Sequence, residues 1–247
     1  MSTSPSLPSA PANVAVIGAG RLGGVLSRAL RAAGIAVHGP FGRDATVPVV
    51  DVALLCVPDA AIAVAAAAVR DRARLVGHVS GATGLDAVDF SLHPLQTFTG
   101  SEMPDVFHGI GCAVDARTDD ALAVATGLAD ALGARAFRVA DAQRAGYHAA
   151  ASTASNLLLT VLDAAEQIAA HAGLPSAEAR ALLAPLVRRT VENWADAGAA
   201  ASLTGPIARG DEATVARQRA AVSPHLAPLF DQLCASTREL TTQKDAA

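Results

Sequence analysis

The chain has 247 residues, of which 51% are hydrophobic and 17% charged, and its formal net charge at pH 7 is -4. This length allows one large domain or two modest ones with a well-filled core. The slightly acidic balance gives no electrostatic reason to expect nucleic acid or an anionic membrane surface as a partner.

The first 12 residues, the apolar runs and the cysteines bear on localisation. Residues 1–12 are rich in Ser, Pro and Ala without a basic and then an apolar segment, so we expect a loose tail and not a signal peptide. No apolar run approaches the roughly 20 residues of a membrane span. The three cysteines are far apart and form no C-x-x-C pair, which indicates reduced thiols and no zinc site. We therefore expect a cytoplasmic protein without a metal ion.

A glycine-rich turn follows the first predicted strand, 13–17, and opens the first predicted helix, 21–33. Its residues are Gly18-Ala19-Gly20-Arg21-Leu22-Gly23. A buried strand, a glycine turn and a helix N-terminus form the setting in which G-x-G-x-x-G binds a dinucleotide. In that setting Gly18 makes the turn, Gly20 lets the backbone approach a pyrophosphate, and Gly23 lets the helix pack on the strand. The motif predicts a dinucleotide site, with a turn that binds no ligand as the alternative.

Short β-rich runs alternate with helical segments up to about residue 140, which is typical of an α/β domain with a parallel sheet. The other predicted strands are 35–38, 51–57, 74–79, 89–92, 110–115 and 135–139, and the other helices of this part are 60–70 and 118–132. Beyond it, the pattern predicts only helices, at 142–172, 176–199, 211–220 and 223–239. The sequence thus predicts a Rossmann-like, NAD(P)-binding α/β domain at 13–140 and an all-α domain at 141–247.

The end of the second predicted strand bears on the choice between NAD and NADP. NAD-binding domains usually place an acidic residue about 20 residues after the first glycine, where this chain has His38. Arg43 follows soon after and could contact an adenosine 2′-phosphate, with Arg21 on a second phosphate; a solvated loop arginine is the alternative for Arg43. Val57 and Pro58 end the third strand beside the glycine turn, where we also expect the cofactor. These residues predict NADP, used as NADPH.

Polar residues follow the fourth and fifth predicted strands. Ser80 could place its hydroxyl near the nicotinamide, or it could simply form a turn with Gly81. His93, Gln96 and Thr97 could line a pocket or satisfy loop backbone groups. Both segments are therefore candidates for the substrate site.

The first long helix of the predicted second domain carries a polar stripe on an Ala- and Leu-rich background. His148, Ser152, Asn156 and Thr160 are spaced four apart and share one helix face. Such groups need water, a polar partner or a ligand, because an unpaired buried amide costs about 1–3 kcal/mol. We interpret His148 as a proton donor and Asn156 as a group that orients a substrate oxygen. Hydrogen bonding between helices is the alternative.

A compact turn, 203–211, separates two later helices. Arg209 lies there between small residues, where its guanidinium could bind a carboxylate or phosphate, or could be a plain surface group. Asp211 is predicted to cap the helix that follows.

These motifs occur in an order that resembles a known family. They are the glycine turn, Val57-Pro58-Asp59, His78-x-Ser80-Gly81, His93-Pro94-Leu95-Gln96-Thr97-Phe98, Tyr147-His148 with Asn156, and Leu203-Thr204-Gly205-Pro206-Ile207-Ala208-Arg209-Gly210-Asp211. Together they resemble bacterial proteins in which a Rossmann-like domain precedes a DUF2520 domain. More distantly they resemble the 6-phosphogluconate dehydrogenase-like superfamily, which includes ketopantoate reductases and pyrroline-5-carboxylate reductases. The resemblance implies an NAD(P)H-dependent enzyme that dimerises through its helical domain.

One departure from that superfamily concerns the proton donor. Its β-hydroxyacid dehydrogenases and ketopantoate reductases carry a general-acid lysine near the start of the first long helix of the C-terminal domain. Here the matching turn holds Ser152 and Thr153, and the only lysine of the chain is Lys244, near its end. The resemblance therefore implies that the proton comes from another group.

The expected function is that of an NADP-dependent reductase acting on a small 2-oxo acid, similar to ketopantoate, at the cleft between the two domains. Its expected catalytic residues are His148, Asn156, Ser80 and Arg209, with Arg209 binding the substrate carboxylate. An imine reductase and a dinucleotide-binding sensor without chemistry are the alternatives. The absence of the superfamily's general-acid lysine favours the sensor, whereas the polar stripe favours the enzyme. We expect a small-molecule substrate and a homodimer formed through the helical domain.

Overall fold

The computed structural model describes Pro11 and residues 13–244; the rest of the tail predicted at residues 1–12 lies outside the described residues. The strands are β1 (Asn13–Ile17), β2 (Ala36–Phe41), β3 (Val50–Leu55), β4 (Ala73–His78), β5 (Phe90–Pro94), β6 (Gly111–Ala116) and β7 (Arg135–Arg138). The helices between them are α1 (Arg21–Ala32), α2 (Ile62–Val69) and α3 (Asp119–Ala131). The predicted strands and helices of this part are confirmed, with ends that differ by a few residues.

The strands form one seven-stranded sheet in the order β2-β1-β3-β4-β5-β6-β7. Every neighbouring pair is parallel except β5 and β6, so β6 and β7 run against the other five. The predicted parallel sheet is thus confirmed for five of the six neighbouring pairs, and β5–β6 is the antiparallel exception. The segment 95–110 between β5 and β6 contains only a short 3-10 turn, and an antiparallel neighbour needs no helical crossover to the far edge of the sheet.

Helices cover both faces of the sheet, which explains the continuous apolar run of β3. Val52 and Leu54 belong to the core packed under α1 and α3. Ala53 and Leu55 point the other way and pack with α2. Successive strand residues point to opposite faces, so a strand covered on both sides buries all of its side chains and is apolar at nearly every position. The predicted α/β fold class is confirmed.

β2 runs three residues beyond its predicted end. Ala15 pairs with His38 but Ile17 pairs with Phe41, so β2 contains an extra residue at this point. Gly39 lies in the bulge at φ +90°, where a Cβ would be 2.7 Å from the Val16 carbonyl oxygen. The bulge moves the carboxyl end of β2 to Phe41.

The remaining elements are helices. They are α4 (Arg144–Ser152), a π-helical turn (Thr153–Leu157), α5 (Leu158–His171), α6 (Ser176–Ala197), α7 (Ala199–Ser202), α8 (Glu212–Ala221) and α9 (Ala227–Lys244). The single helix predicted at 142–172 is thus interrupted by the π-helical turn. Between residues 141 and 244 the structure contains no strand.

The contacts divide the chain into two compact units, one up to Ser155 and one from Asn156 onward. The predicted boundary at 140/141 comes before α4, whereas the contacts place α4 with the sheet. Within the second unit, α5 packs on α6, and Arg180 holds Glu166 across that pair with two bonds of 2.8 Å. Arg238 of α9 binds Glu212 of α8 in the same two-bond manner. Across residues 13–244, no helix combines the length and hydropathy needed to cross a membrane.

Candidate active site

The glycine turn after β1 has the close backbone approaches that its motif predicts. Gly18 adopts φ +110° and donates its N–H to the Phe41 carbonyl at 2.8 Å. A Cβ on Gly18 would lie 2.2 Å from the Cys56 carbonyl oxygen, and a Cβ on Gly23 would lie 1.9 Å from the Gly18 carbonyl oxygen. Both glycines are therefore required by the packing of β1, β3 and α1.

Gly20 is not explained by packing. A Cβ built on it would meet no described atom within 4 Å. It is the N-cap of α1, and it has no side chain to bond the first N–H groups of that helix. Those groups have no acceptor within a helix and carry the positive end of its dipole, so they bind phosphate. A glycine at an open position before such groups fits the pyrophosphate of a dinucleotide.

The other predicted cofactor residues lie along the same sheet edge. Arg43 is exposed two residues past Phe41, the residue whose carbonyl receives the Gly18 N–H. The bulge in β2 places Phe41 opposite Ile17, so Arg43 follows β2 at the edge of the sheet where the turn begins. Val57 lies behind the turn, where its side chain would be 3.3 Å from a Cβ on Gly18, and Pro58 follows it. Arg21 is exposed at the first position of α1.

Three aromatic side chains, which we call the histidine cluster, meet at the carboxyl end of β5: His93, Tyr147 and His148. The His93 Nδ1 atom lies 2.6 Å from the Tyr147 hydroxyl oxygen. The rings of His93 and His148 meet edge to face, with centroids 6.3 Å apart. Gly81 fits between these two rings, since a Cβ on it would be 2.8 Å from His93 and 2.9 Å from His148. The cluster thus closes over the turn that follows β4.

The surroundings of the cluster keep His93 uncharged. Burial lowers the pKa of His93 to about 4, and the nearby charges of His148 and Arg144 act in the same direction. Burial also raises the pKa of Tyr147 to about 12. At neutral pH a neutral imidazole therefore faces a neutral phenol, and the phenol is the natural donor because the imidazole Nδ1 is the better acceptor.

A buried arginine fixes α4 against β5. Arg144, at the start of α4, donates from Nη2 to the Ser91 hydroxyl at 2.9 Å and from Nε to Asp141 at 3.1 Å. Ser91 and His93 are two residues apart on β5 and so share one face of the strand. Tyr147 follows Arg144 by one helical turn. The bond from Arg144 to Ser91 therefore fixes the position of α4 along β5, and with it the contact between Tyr147 and His93.

The turn after β4 is held by its own side chains. The Ser80 hydroxyl accepts bonds from the backbone N–H groups of Ala82 and Thr83, at 3.1 and 2.9 Å, and donates to the Thr83 hydroxyl. His78 is buried, accepts the Ser80 N–H at Nδ1 and contacts the Gly84 carbonyl through Nε2. Burial lowers the pKa of His78, consistent with a neutral ring. This geometry favours the turn as the role of Ser80, and its contact with the nicotinamide stays a prediction.

The family model named DUF2520, a domain of unknown function, matches residues 110–237, which is more than half of the chain. The chain belongs to the DUF2520 family. The resemblance stated from the sequence is confirmed. No curated protein sequence matches the chain.

Solved structures share the fold of this DUF2520 protein. A Bacteroides fragilis protein provisionally named an NADP oxidoreductase is 21% identical with a TM-score of 0.77, covering 92% of this chain and 98% of that one. A Thermotoga maritima protein is 20% identical with a TM-score of 0.76, covering 94% and 99%. A pyrroline carboxylate reductase from Plasmodium falciparum, solved with NADP bound, is 9% identical with a TM-score of 0.57, covering 93% and 98%. At these identities the similarity establishes the fold.

The histidine cluster of this DUF2520 protein joins two parts of the chain. Tyr147, His148 and Arg144 come from the matched segment, whereas His93 and the glycine turn precede it. The sequence predicts His93 only as a candidate pocket residue and indicates no role for Tyr147 or Arg144. Two patterns in the sequence could have indicated this contact. Ser91 and His93 alternate on one face of β5, and Arg144 and Tyr147 are one helical turn apart on α4.

Two predicted catalytic residues belong to the second unit. Asn156 is exposed within the π-helical turn, which breaks the regular four-residue spacing on which the polar stripe depended. Arg209 is exposed at the end of a 3-10 turn and precedes Gly210, which is left-handed at φ +67°. Asp211 caps α8 by accepting the Thr214 N–H at 3.0 Å, so that prediction is confirmed. The catalytic roles of Asn156 and Arg209 stay predictions.

Among the described residues, no group of three or more His, Cys, Asp or Glu side chains is arranged to hold a metal ion.

Proposed function

We propose that this DUF2520 protein is an NADP-dependent reductase of a small 2-oxo acid. The observation that carries the proposal is the presence, in one α/β unit, of two features at the same sheet edge. One is the glycine turn, whose Gly20 is explained by a pyrophosphate and not by packing. The other is the histidine cluster at the carboxyl end of β5. Ligands of open α/β sheets bind at the carboxyl ends of the parallel strands, where both features lie.

Each predicted cofactor residue has a place in this proposal. The turn from Gly18 to Gly23 and the first N–H groups of α1 bind the pyrophosphate, and Arg21 can reach a phosphate. Arg43 binds the adenosine 2′-phosphate, while Val57 and Pro58 flank the nicotinamide half. NADPH supplies a hydride when bound. The fold shared with an NADP-bound relative supports the assignment.

The proton is proposed to come from His148. A carbonyl that accepts a hydride becomes an alkoxide, which needs a proton or a strong hydrogen bond. His148 is half-buried in the histidine cluster, and neither of its ring nitrogens has a hydrogen-bond partner among residues 13–244. Both nitrogens are therefore available to a substrate. His148 takes the role that a lysine has in the wider superfamily.

The 2-oxo acid is proposed from the remaining groups. Arg209 offers an exposed guanidinium that suits a planar carboxylate, and Asn156 an exposed amide that suits a carbonyl oxygen. Ser80 can add a contact to the substrate or the carboxamide. The resemblance to ketopantoate reductases supports ketopantoate-like acids as the first substrates to examine, with cyclic imines second.

The test is NADPH oxidation with a panel of 2-oxo acids, including ketopantoate, and of cyclic imines. We expect turnover with a 2-oxo acid and an increase of about 10- to 100-fold in its Michaelis constant in Arg209→Ala, because a charged hydrogen-bond pair is lost. Arg217→Ala, which removes another exposed arginine of the second unit, should leave that constant unchanged. Bound NADPH without oxidation by any compound would contradict the reductase and favour the sensor. Unchanged kinetics in Arg209→Ala would contradict the role of Arg209 alone.

We also propose that the protein is a cytoplasmic homodimer joined through its helical unit. Five large apolar side chains of the π-helical turn, α5 and α6 are each more than half exposed: Leu157, Leu159, Leu182, Leu186 and Trp194. A group of this size on one unit is typical of an association surface. The three cysteines are free, which is consistent with a reducing compartment.

A further inference from the structure

The histidine cluster contains one ring nitrogen that the proposed function does not yet use. The Nε2 atom of His93 has no hydrogen-bond partner among the described residues. No buried side-chain nitrogen or oxygen in that part of the chain lacks a partner. Nε2 therefore reaches the surface, although most of the ring is buried. It lies beside Gly81, where a Cβ would be only 2.9 Å away, so the glycine keeps this nitrogen uncovered.

Tyr147 determines which nitrogen of His93 carries the proton. Its hydroxyl lies 2.6 Å from Nδ1, a normal length for a bond to a phenol. The hydroxyl donates this bond, because the imidazole Nδ1 is a better acceptor than a phenol oxygen. Nδ1 is then an acceptor without a proton, and a neutral ring must carry its proton on Nε2. The uncovered nitrogen is therefore an N–H donor.

The charges around the cluster oppose a second positive imidazole. Arg144 is buried beneath the cluster, and the rings of His93 and His148 are in edge contact. Charging one of two adjacent imidazoles disfavours charging the other. The ring of His148 has no hydrogen-bond partner among the described residues, so it is open to a substrate beside the fixed, neutral His93. The two rings can thus serve one substrate oxygen in different ways.

We propose that His93 is a second catalytic residue, whose Nε2–H donates a hydrogen bond to the substrate oxygen while His148 supplies the proton, and that Tyr147 is a positioning residue that holds His93 in this tautomer. The inference rests on the proposed reductase activity. A neutral donor fixed in place stabilises negative charge on the oxygen without losing its own proton. Neutral imidazole N–H groups polarise carbonyl oxygens in other enzymes in this way.

The tautomer is tested first, on the protein without cofactor or substrate. Nitrogen NMR of protein labelled with ¹⁵N-histidine should show His93 at pH 7 with Nε2 protonated and Nδ1 bare. Tyr147→Phe should shift His93 toward a mixture of tautomers. Phe137→Leu changes the packing around Tyr147 but keeps its hydroxyl, so it should leave the His93 signals unchanged. A charged His93, or a proton on Nδ1, would overturn the inference whatever substrate is found.

The catalytic role is tested with the best 2-oxo acid. His93→Phe should lower kcat by about 10²- to 10³-fold, the usual loss for one oxyanion donor, while NADPH affinity persists. His93→Gln, whose amide N–H can replace Nε2–H, should recover part of that loss. Tyr147→Phe should lower kcat by roughly tenfold with little change in KM. Equal turnover in His93→Phe and wild type would overturn the role of His93 but leave the reductase intact. No NADPH oxidation by the wild-type protein would overturn both.

Discussion

His93 owes its neutral state to burial first and to its neighbours second. Its pKa is lowered to about 4 by removal from water, and the charges of His148 and Arg144 add to that effect. An unfolded chain loses all of these influences, so there His93 titrates near its ordinary value of 6.5. The difference links protonation of this one residue to the stability of the α/β unit.

The linkage predicts lower stability in mild acid. Between pH 6.5 and about 4 the unfolded chain binds a proton at His93 that the folded chain does not, so the free energy of unfolding falls as pH falls through this range. The expected loss is on the order of 1–2 kcal/mol at pH 5, and the lowered pKa of His78 adds to it. Denaturant unfolding at pH 7 and pH 5 measures the loss. His93→Gln should lose less stability than wild type between these two pH values; an equal loss in both proteins would contradict the linkage to His93.

Arg144 and Arg74 provide a comparison of a buried with an exposed ion pair. The Arg144 side chain is 4% exposed and bonds both Ser91 and Asp141, whereas the side chains of Arg74 and its partner Asp120 are both more than half exposed. Arg144→Met should cost about 1–3 kcal/mol, because the Ser91 hydroxyl loses its buried partner, and Arg74→Ala less than about 1 kcal/mol. Thermal or denaturant unfolding checks both. Arg144→Met should also raise the pKa of His93, since Arg144 lowers it. Similar stability in the two variants would show that Arg144 does not fix α4.

The β1–α1 element depends on its glycines to different degrees. Gly23→Ala places a Cβ 1.9 Å from a backbone oxygen that no side-chain rotation can move, so we expect a loss of about 1–3 kcal/mol or more. Gly24→Ala meets only the end of the flexible Arg28 side chain, at 3.7 Å, and alanine favours a helix by up to about 1 kcal/mol. The matched control should therefore be as stable as wild type or slightly more so. Denaturant unfolding measures both variants. An equal loss of unfolding free energy in the two would mean that close packing at Gly23 does not determine the effect of the substitution.

Most strands of the sheet could be predicted because they are short apolar runs bounded by turn residues. Three features could not. The bulge in β2 runs through Gly39 and Pro40, two residues that normally end a strand. The direction of β6 depends on where the segment 95–110 returns to the sheet, which no local pattern encodes. The π-helical turn at Thr153–Leu157 adds a register change inside a helix that is uniformly rich in Ala and Leu.

The candidate site was predictable only where its residues are close in sequence. The glycine turn lies within six residues whose spacing carries the physical requirement, and its geometry agrees with the motif. His93 and Tyr147 are 54 residues apart and meet only because Arg144 fixes α4 on β5. The polar stripe on α4 pointed to His148 but not to its neighbour. Periodicity shows which residues share a helix face and not what that face contacts.

The whole chain combines an α/β unit with a helical unit that leaves large apolar side chains exposed. We expect a dimer in solution, with light scattering giving twice the 24.8 kDa mass of one chain. Leu186→Asp should yield monomers, because a carboxylate in an apolar interface must be desolvated. The control Val64→Asp changes an equally exposed apolar residue on α2 of the other unit and should stay dimeric. A monomeric wild type, or a dimeric Leu186→Asp, would contradict the proposed interface.

Cofactor binding by the whole protein decides whether the glycine turn holds a dinucleotide. NADPH and NADH are titrated against wild type, Gly20→Ala, Gly24→Ala and Arg43→Ala, with cofactor fluorescence as the signal. We expect saturable binding with NADPH tighter than NADH, loss of both cofactors in Gly20→Ala despite a stable fold, and normal binding in Gly24→Ala. Arg43→Ala should lose NADPH affinity selectively, by about 10- to 100-fold. Binding of neither cofactor by the wild-type protein, or unchanged NADPH affinity in Gly20→Ala, would contradict a dinucleotide site at the glycine turn.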